Sequence, residues 1–339
     1  MSNDLKASVI IPTHNRKSIL LKTLSCYAAQ TVSAEKFEIV VVNDGGRDET
    51  SSIFKGFVPF EQDETDAFPD DEGGRIEARL QGTLGAVLPD VPGTKGGSPS
   101  VKYIEISKSG RSHARNVGIH FSSYPLIIFV DDDIFVEPGF VQKHLESHHH
   151  EDGLVVRGMV VHTRHLDDPF SARWKPKDIN TSFLATGNAS VLKEYVVQAG
   201  CFDENYKVYG WEDFDLGIHL EQEGMKSVKR KIYGYHYDPK PGVIFPDDIY
   251  KKEKERGFTA VYFYKTHPLK WVKRFTLVEN APLKALFCLL GRNNWFLRKR
   301  KISVFKGILR LIIRYKGYFE GVEQAKRQYR SDSPERKEG

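Results

Sequence analysis

A chain of 339 residues with 40% hydrophobic and 12% aromatic side chains can bury one large core or two ordinary ones, which excludes wholesale disorder. Its three cysteines, Cys26, Cys201 and Cys288, are too dispersed for a metal-ligand pair or a disulfide framework and favour a reducing compartment. The net charge of +5 conceals a polarity: residues 265–320 hold 14 Lys or Arg against Glu279 and Glu320, a balance of +12 that leaves −7 on the rest.

In chain order, residues 7–11 (ASVII) read as a buried strand, followed by Pro12 and a turn. Ile19, Leu20, Leu24 and Tyr27 then recur at helical spacing, and residues 37–42 (FEIVVV) form a second strand ending in Asn43 and Asp44. Between 57 and 100 the periodicity collapses into acidic, then Gly- and Pro-rich sequence, which reads as a mobile insertion with local structure around 75–80. A third strand at 101–106, a helix at 110–122 and a fourth strand at 126–130 (LIIFV) follow, the last ending in Asp131, Asp132 and Asp133. Residues 153–237 continue a mixed pattern. The predicted organisation is an α/β domain over 1–245, a helical, basic extension over 246–330 and a disordered tail over 331–339. No stretch suits a signal peptide or reaches the ~18–20 apolar residues that span a bilayer, so a cytoplasmic location is expected.

Alternating strands and helices imply a mostly parallel sheet covered on both faces, whose ligands sit beyond the carboxyl ends of the strands. Those ends carry the polar clusters. Three adjacent carboxylates repel one another unless a cation or hydrogen bonds compensate, and hard divalent ions bind carboxylates together with substrate phosphates; a solvated acidic turn is the plainer alternative. Asp44 can accept from a ribose or base, although Asp-Gly-Gly is also an ordinary turn. Arg111 and Arg115 at a helix N-terminus suit a diphosphate, or simply decorate a cap. Glu212, Asp213 and Asp215 beside Trp211 exceed what helix capping needs and offer a general base for a hydroxyl. His236 among tyrosines is a metal or phosphate contact or a structural histidine. His148, His149 and His150, with His144 one turn earlier, read as a solvated helix end ahead of a chelator.

Taken in order, residues 9–16 (VIIPTHNR), 39–45 (IVVVNDG), Gly110 with 114–118 (ARNVG), 129–133 (FVDDD), 186–188 (TGN), 200–204 (GCFDE) and 211–215 (WEDFD) resemble the inverting glycosyltransferases of family two, over about residues 7–237. The resemblance implies the GT-A fold: a mostly parallel mixed sheet flanked by helices, here with a helical, basic C-terminal extension. It implies a donor site from Pro12, Thr13, Asn15, Arg16, Asp44, Arg111, Arg115, Asp131 and Asp132, with Asp44 on the base or ribose. Asp133, and His236 as in some relatives, would bind Mn²⁺ or Mg²⁺ bridging the donor diphosphate. Asn188, Trp211 and Glu212 would face a donor or acceptor sugar, and Asp213 would be the catalytic base. UDP is the nucleotide favoured on family grounds. The insertion at 57–100 and His219, where relatives often carry arginine, depart from the pattern.

The implied partners are a nucleotide-sugar donor and a glycan or lipid-linked glycan acceptor. Ile302, Phe305, Leu309, Ile312 and Ile313 recur at helical spacing among Lys and Arg, with Trp271, Trp295 and Phe296 nearby. That pattern fits an anionic membrane surface met through 265–320, or equally a helix packed on the domain. Nucleic acid is not expected, because no recognised module accompanies the charge. Two other classes remain: a non-catalytic sugar-nucleotide or glycan binder, which would need no base, and a nucleotidyltransferase, which would need a Gly-rich loop where residues 12–16 stand.

Overall fold

The computed structural model describes residues 4–60, 75–88, 97–149, 151–178, 180–238, 246–292 and 306–331. They form two compact units: residues 1–207 with 212–239, and residues 208–211 with 240–339.

The first unit is built on a ten-stranded mixed sheet. Its strands are β1 (Ala7–Thr13), β2 (Phe37–Asp44), β3 (Val58–Pro59), β4 (Ile76–Thr83), β5 (Ser100–Ile106), β6 (Leu126–Val130), β7 (Ile134–Val136), β8 (Leu154–Thr163), β9 (Asn188–Leu192) and β10 (Lys226–Tyr237). Their order is β3-β4-β5-β2-β1-β6-β9-β8-β10-β7. The β5-β2-β1-β6 centre is parallel, β9 runs antiparallel to both β6 and β8, and β10 is parallel to β8. All eight residues of β2 and all five of β6 are buried, as expected of strands covered on both faces.

The helices of this unit are α1 (Lys17–Ala28), α2 (Leu84–Val87), α3 (Arg111–His120), α4 (Phe140–Ser147), α5 (Lys193–Gln198) and α6 (Glu212–Gln222). Side chains alternate along β1: Val9 and Ile11 pack with Leu20, Leu24 and Tyr27 of α1, whereas Ile10 packs with Ile119 of α3 and Leu216 and Leu220 of α6. At Gly118 an added Cβ would stand 2.4 Å from Ile10, so α3 lies on the sheet at a distance only glycine permits.

The stretch at 57–100 carries the local structure expected around 75–80. Residues 76–83 form β4, paired antiparallel with β5 and alternating between half-buried and exposed, and α2 follows with Leu84 in the core. Residues 61–74 and 89–96 lie outside the described residues.

The second unit contains α7 (Pro246–Thr266), α8 (Lys270–Thr276), α9 (Ala281–Leu290) and α10 (Lys306–Ser331). Backbone meets backbone where α7 and α10 cross: a Cβ at Gly257 would stand 1.9 Å from the Tyr318 carbonyl, and one at Gly321 1.9 Å from that of Lys254. Leu309, Ile312 and Ile313 of the expected amphipathic stripe are buried. Trp295, Phe296, Ile302, Phe305 and the tail 332–339 lie outside the described residues. No described helix is long and apolar enough to cross a membrane.

Candidate active site

The ends of β1, β2 and β6 bring the sequence clusters together. β6 delivers the aspartate triplet, and its three carboxylates have different surroundings. Asp132 accepts from Thr13 Oγ1 at 2.7 Å and from Arg16 Nη1 at 3.0 Å. Its main-chain oxygen accepts from Thr23 at 2.6 Å. Burial, with Asp133 and Asp131 adjacent, pushes it up to about 6 despite Arg16. Asp132, expected on the donor, is therefore turned into the protein. Asp133 is also buried. Arg16 donates to its Oδ2, and His236 Nε2 lies 3.5 Å from the same oxygen. Its Oδ1 is buried without a hydrogen-bond partner. Asp131 remains 37% exposed at the side chain and pairs with Arg115 Nη2 at 3.2 Å. Burial opposes its ionisation, but Arg115, Arg111 and His236 outweigh it and hold its carboxyl below the usual range.

Arg115 is the centre of a second cluster. It is 3% exposed and reaches Asp131, Glu212 at 3.3 Å and Asp213 at 3.7 Å. The sequence placed it on a diphosphate; the fold instead commits it to three carboxylates, while Arg111, at the start of α3, is exposed. Burial works against its charge, yet Asp213, Asp131 and Glu212 hold its pKa above the ordinary value. Asp213 sits in the first turn of α6, 27% exposed at the side chain, and accepts from Thr186 Oγ1 at 2.9 Å and Thr186 N at 3.3 Å. Burial pushes it up to about 6, assisted by Glu212 and Asp131 and opposed by Arg115 and Thr186. A carboxylate near 6 with an open face has the chemistry of a general base.

Around this centre the side chains of the other motifs also bond within the protein. Asp44 is buried and accepts from Ser109 N at 2.6 Å, Gly110 N at 3.1 Å and Lys108 Nζ, which holds the turn into α3. Gly110 there has φ +103°, a conformation that disfavours side chains. Asn15 accepts from Arg47 N at 2.6 Å, and Pro12 is half-buried. Asn116 bonds both the Phe202 carbonyl and Glu204, and His113 Nδ1 meets Glu204 at 2.7 Å, fastening α3 to the segment at 202–204.

Two expected sugar contacts are elsewhere. Asn188 is wholly buried; it donates to the Ile232 carbonyl at 3.0 Å, and its Oδ1 meets His144 Nε2 at 3.0 Å. It has no surface to offer a ligand. Trp211, in the second unit, is 8% exposed, stacks on Phe263 with centroids 5.3 Å apart and donates to the Arg256 carbonyl at 2.8 Å. The histidine run is not a solvated helix end either. His144 and His148 are buried on Ser190 at 2.8 and 2.9 Å, and burial depresses them to about 3 and about 4. His150 lies outside the described residues. Thr186, which anchors Asp213, was missed as a functional residue; its signal was only its place in the quoted 186–188 segment.

Comparison with known proteins identifies the family. The model for glycosyl transferase family 2 matches residues 8–84 and 93–201, more than half of the chain, and the chain belongs to that family. It is 24% identical over 304 residues to the uncharacterized glycosyltransferase YfnE of Bacillus subtilis, covering 72% of this chain and 68% of that protein. It is 23% identical over 280 residues to hyaluronan synthase of Pasteurella multocida, covering 69% of this chain and only 25% of that one. A mannosyltransferase from Pyrobaculum calidifontis, solved in complex with GDP-Man and Mn²⁺, superposes with a TM-score of 0.54 at 14% identity, over 97% of this chain and 88% of the other. The fold is GT-A.

Proposed function

We propose that this member of glycosyl transferase family 2 is a metal-dependent, inverting enzyme that moves a sugar from a nucleoside diphosphate donor, UDP favoured, to a hydroxyl of a glycan or lipid-linked glycan. The observation that carries the reading is Asp213: partly exposed, oriented by Thr186, pushed up by burial, and one guanidinium away from Asp131. Inversion requires a single displacement. The acceptor oxygen bonds to the anomeric carbon as the bond to the diphosphate oxygen breaks; the acceptor proton passes to Asp213, and the diphosphate leaves with the electron pair.

Asp133 and His236 would hold Mg²⁺ or Mn²⁺, with Asp131 beside them on the donor. The donor set is oxygen and imidazole nitrogen, and the unpartnered Asp133 Oδ1 offers a lone pair that a cation would satisfy. Such an ion supplies charge neutralisation for the departing diphosphate. The Pyrobaculum enzyme was solved with a donor and ion of the class proposed here. Asp44 would contribute by fixing the turn into α3, whose N-terminus, with Arg111, would face the donor. Pro12, Thr13, Asn15 and Arg16 would border the nucleotide, and Glu212 acts through Arg115.

Replacement of Asp213 by Asn is expected to lower sugar transfer by about 10²–10⁴-fold while leaving donor binding intact. Wild-type turnover in Asp213→Asn would remove the residue from the base role.

A further inference from the structure

The parallel pairing of β8 and β10 sets His162 directly opposite His236. Side chains two apart on a strand share a face, so Asp238, just past the end of β10, returns to the side on which both imidazoles lie. Its carboxylate spans them: Oδ2 is 2.7 Å from His162 Nδ1 and Oδ1 is 3.4 Å from His236 Nδ1. The two rings meet edge to face with centroids 5.0 Å apart. The backbone pins this arrangement to the aspartate triplet, because Tyr237 N donates to the Asp133 carbonyl at 2.9 Å and Asp238 N to the Thr163 carbonyl at 2.9 Å. On its other side His236 turns Nε2 toward Asp133 Oδ2, at 3.5 Å.

We propose that Asp238 is a positioning residue for the donor cation, fixing His236 in the tautomer whose Nε2 is the ligand atom, and that His162 in turn holds Asp238. The inference rests on the reading that Asp133 and His236 bind the cation. A neutral imidazole has one N–H. His236 Nδ1 is buried and makes no hydrogen bond in this geometry, with Asp238 Oδ1 3.4 Å away; a small turn of the carboxylate would let it accept Nδ1–H, and Nε2 would then carry the lone pair facing Asp133. Carboxylates that accept the second N–H of a metal-bound histidine orient the ring and raise its basicity. His162 donates to the other oxygen at 2.7 Å, which tethers the carboxylate beside His236. Neither residue touches the donor in this account; both act through His236.

The test is direct Mn²⁺ binding by the full chain in the presence of UDP, read from the electron paramagnetic resonance signal of the free ion. Asp238→Ala should weaken Mn²⁺ about ten- to a hundred-fold, the usual effect of losing such a partner, and His162→Ala should weaken it less. Asp238→Glu should recover part of the loss. Nitrogen NMR of the histidine side chains should show His236 protonated at Nδ1 in the wild type and shifted toward Nε2 protonation in Asp238→Ala, a change that a general loosening of the fold would not produce. Metal-free binding of UDP should be unchanged. Wild-type Mn²⁺ affinity in Asp238→Ala, alongside weakened binding in His236→Ala, would overturn the positioning role alone. Wild-type affinity in His236→Ala would overturn the cation reading itself, and the role of Asp238 with it.

Discussion

Arg115 and Asp213 set the chemistry of the site at the scale of single residues. A buried guanidinium shared by Asp131, Glu212 and Asp213 keeps three carboxylates compatible with one another, and removal of one partner from a buried ionic cluster leaves charge uncompensated. Arg115→Met is accordingly expected to destabilise the fold by about 3–5 kcal/mol, measured by denaturant unfolding. Asp213 must be ionised to accept a proton. Since burial raises it to about 6, kcat/KM should climb as pH rises through about 6 and flatten above it. The Arg115 charge lowers the Asp213 pKa, so Arg115→Gln, which removes that charge, should move the limb to higher pH. A limb that stays in place in Arg115→Gln would separate the two residues functionally.

At the scale of elements, α4 and β9 enclose a buried polar knot. His144 and His148 converge on Ser190, and His144 also meets Asn188. Both rings are neutral in the fold because burial depresses them to about 3 and about 4. Below pH ~6.5 the unfolded chain takes up protons that the folded one refuses, so stability is full above that pH and is lost as pH falls toward 4. At pH 5, His144 alone should remove about 2 kcal/mol. His144→Gln should flatten the difference in urea midpoint between pH 7 and pH 5; an unchanged difference would exclude His144 as its source. This knot also marks what the sequence could not convey. Residues 144–150 look polar in a string, and only the placement of α4 against β9 shows that two of the histidines are interior. Asn188 suffers the same ambiguity, because a buried amide and a ligand-facing one look identical in sequence. The buried strands β1, β2 and β6 were legible as continuous apolar runs, whereas β4 was not: its alternation (IEARLQGT) is half polar and lies between acidic and Gly-rich sequence.

Over the whole molecule, the polar clusters were legible because strand ends collect them; their pairing was not, since Arg115, Asp131 and Asp213 are brought together by three different elements. His236 and Asp238 lay within one short segment, but their partner His162 is 74 residues before His236 and reaches it only through strand pairing. The charge polarity has a counterpart in the second unit. There Leu286, Leu289 and Leu290 of α9 and Ile308 and Leu311 of α10 are exposed, Leu289 at 67% and Ile308 at 65%, in a stretch rich in Lys and Arg. We propose that this unit rests on an anionic lipid surface. The full chain should then sediment with vesicles containing phosphatidylglycerol and not with phosphatidylcholine alone, and Leu289→Glu with Ile308→Glu should release it. Equal sedimentation of the double variant would assign those side chains to another partner.

In the proposed chemistry Asp133 and its neighbours would hold a cation on a donor diphosphate. Calorimetric titration of the full chain with UDP, GDP and dTDP, with and without Mn²⁺, tests it most directly. One nucleotide, UDP first, should bind in a metal-dependent manner, and Asp133→Ala should abolish the metal dependence. Nucleotide binding that is indifferent to Mn²⁺, or metal-dependent binding that survives in folded Asp133→Ala, would contradict it.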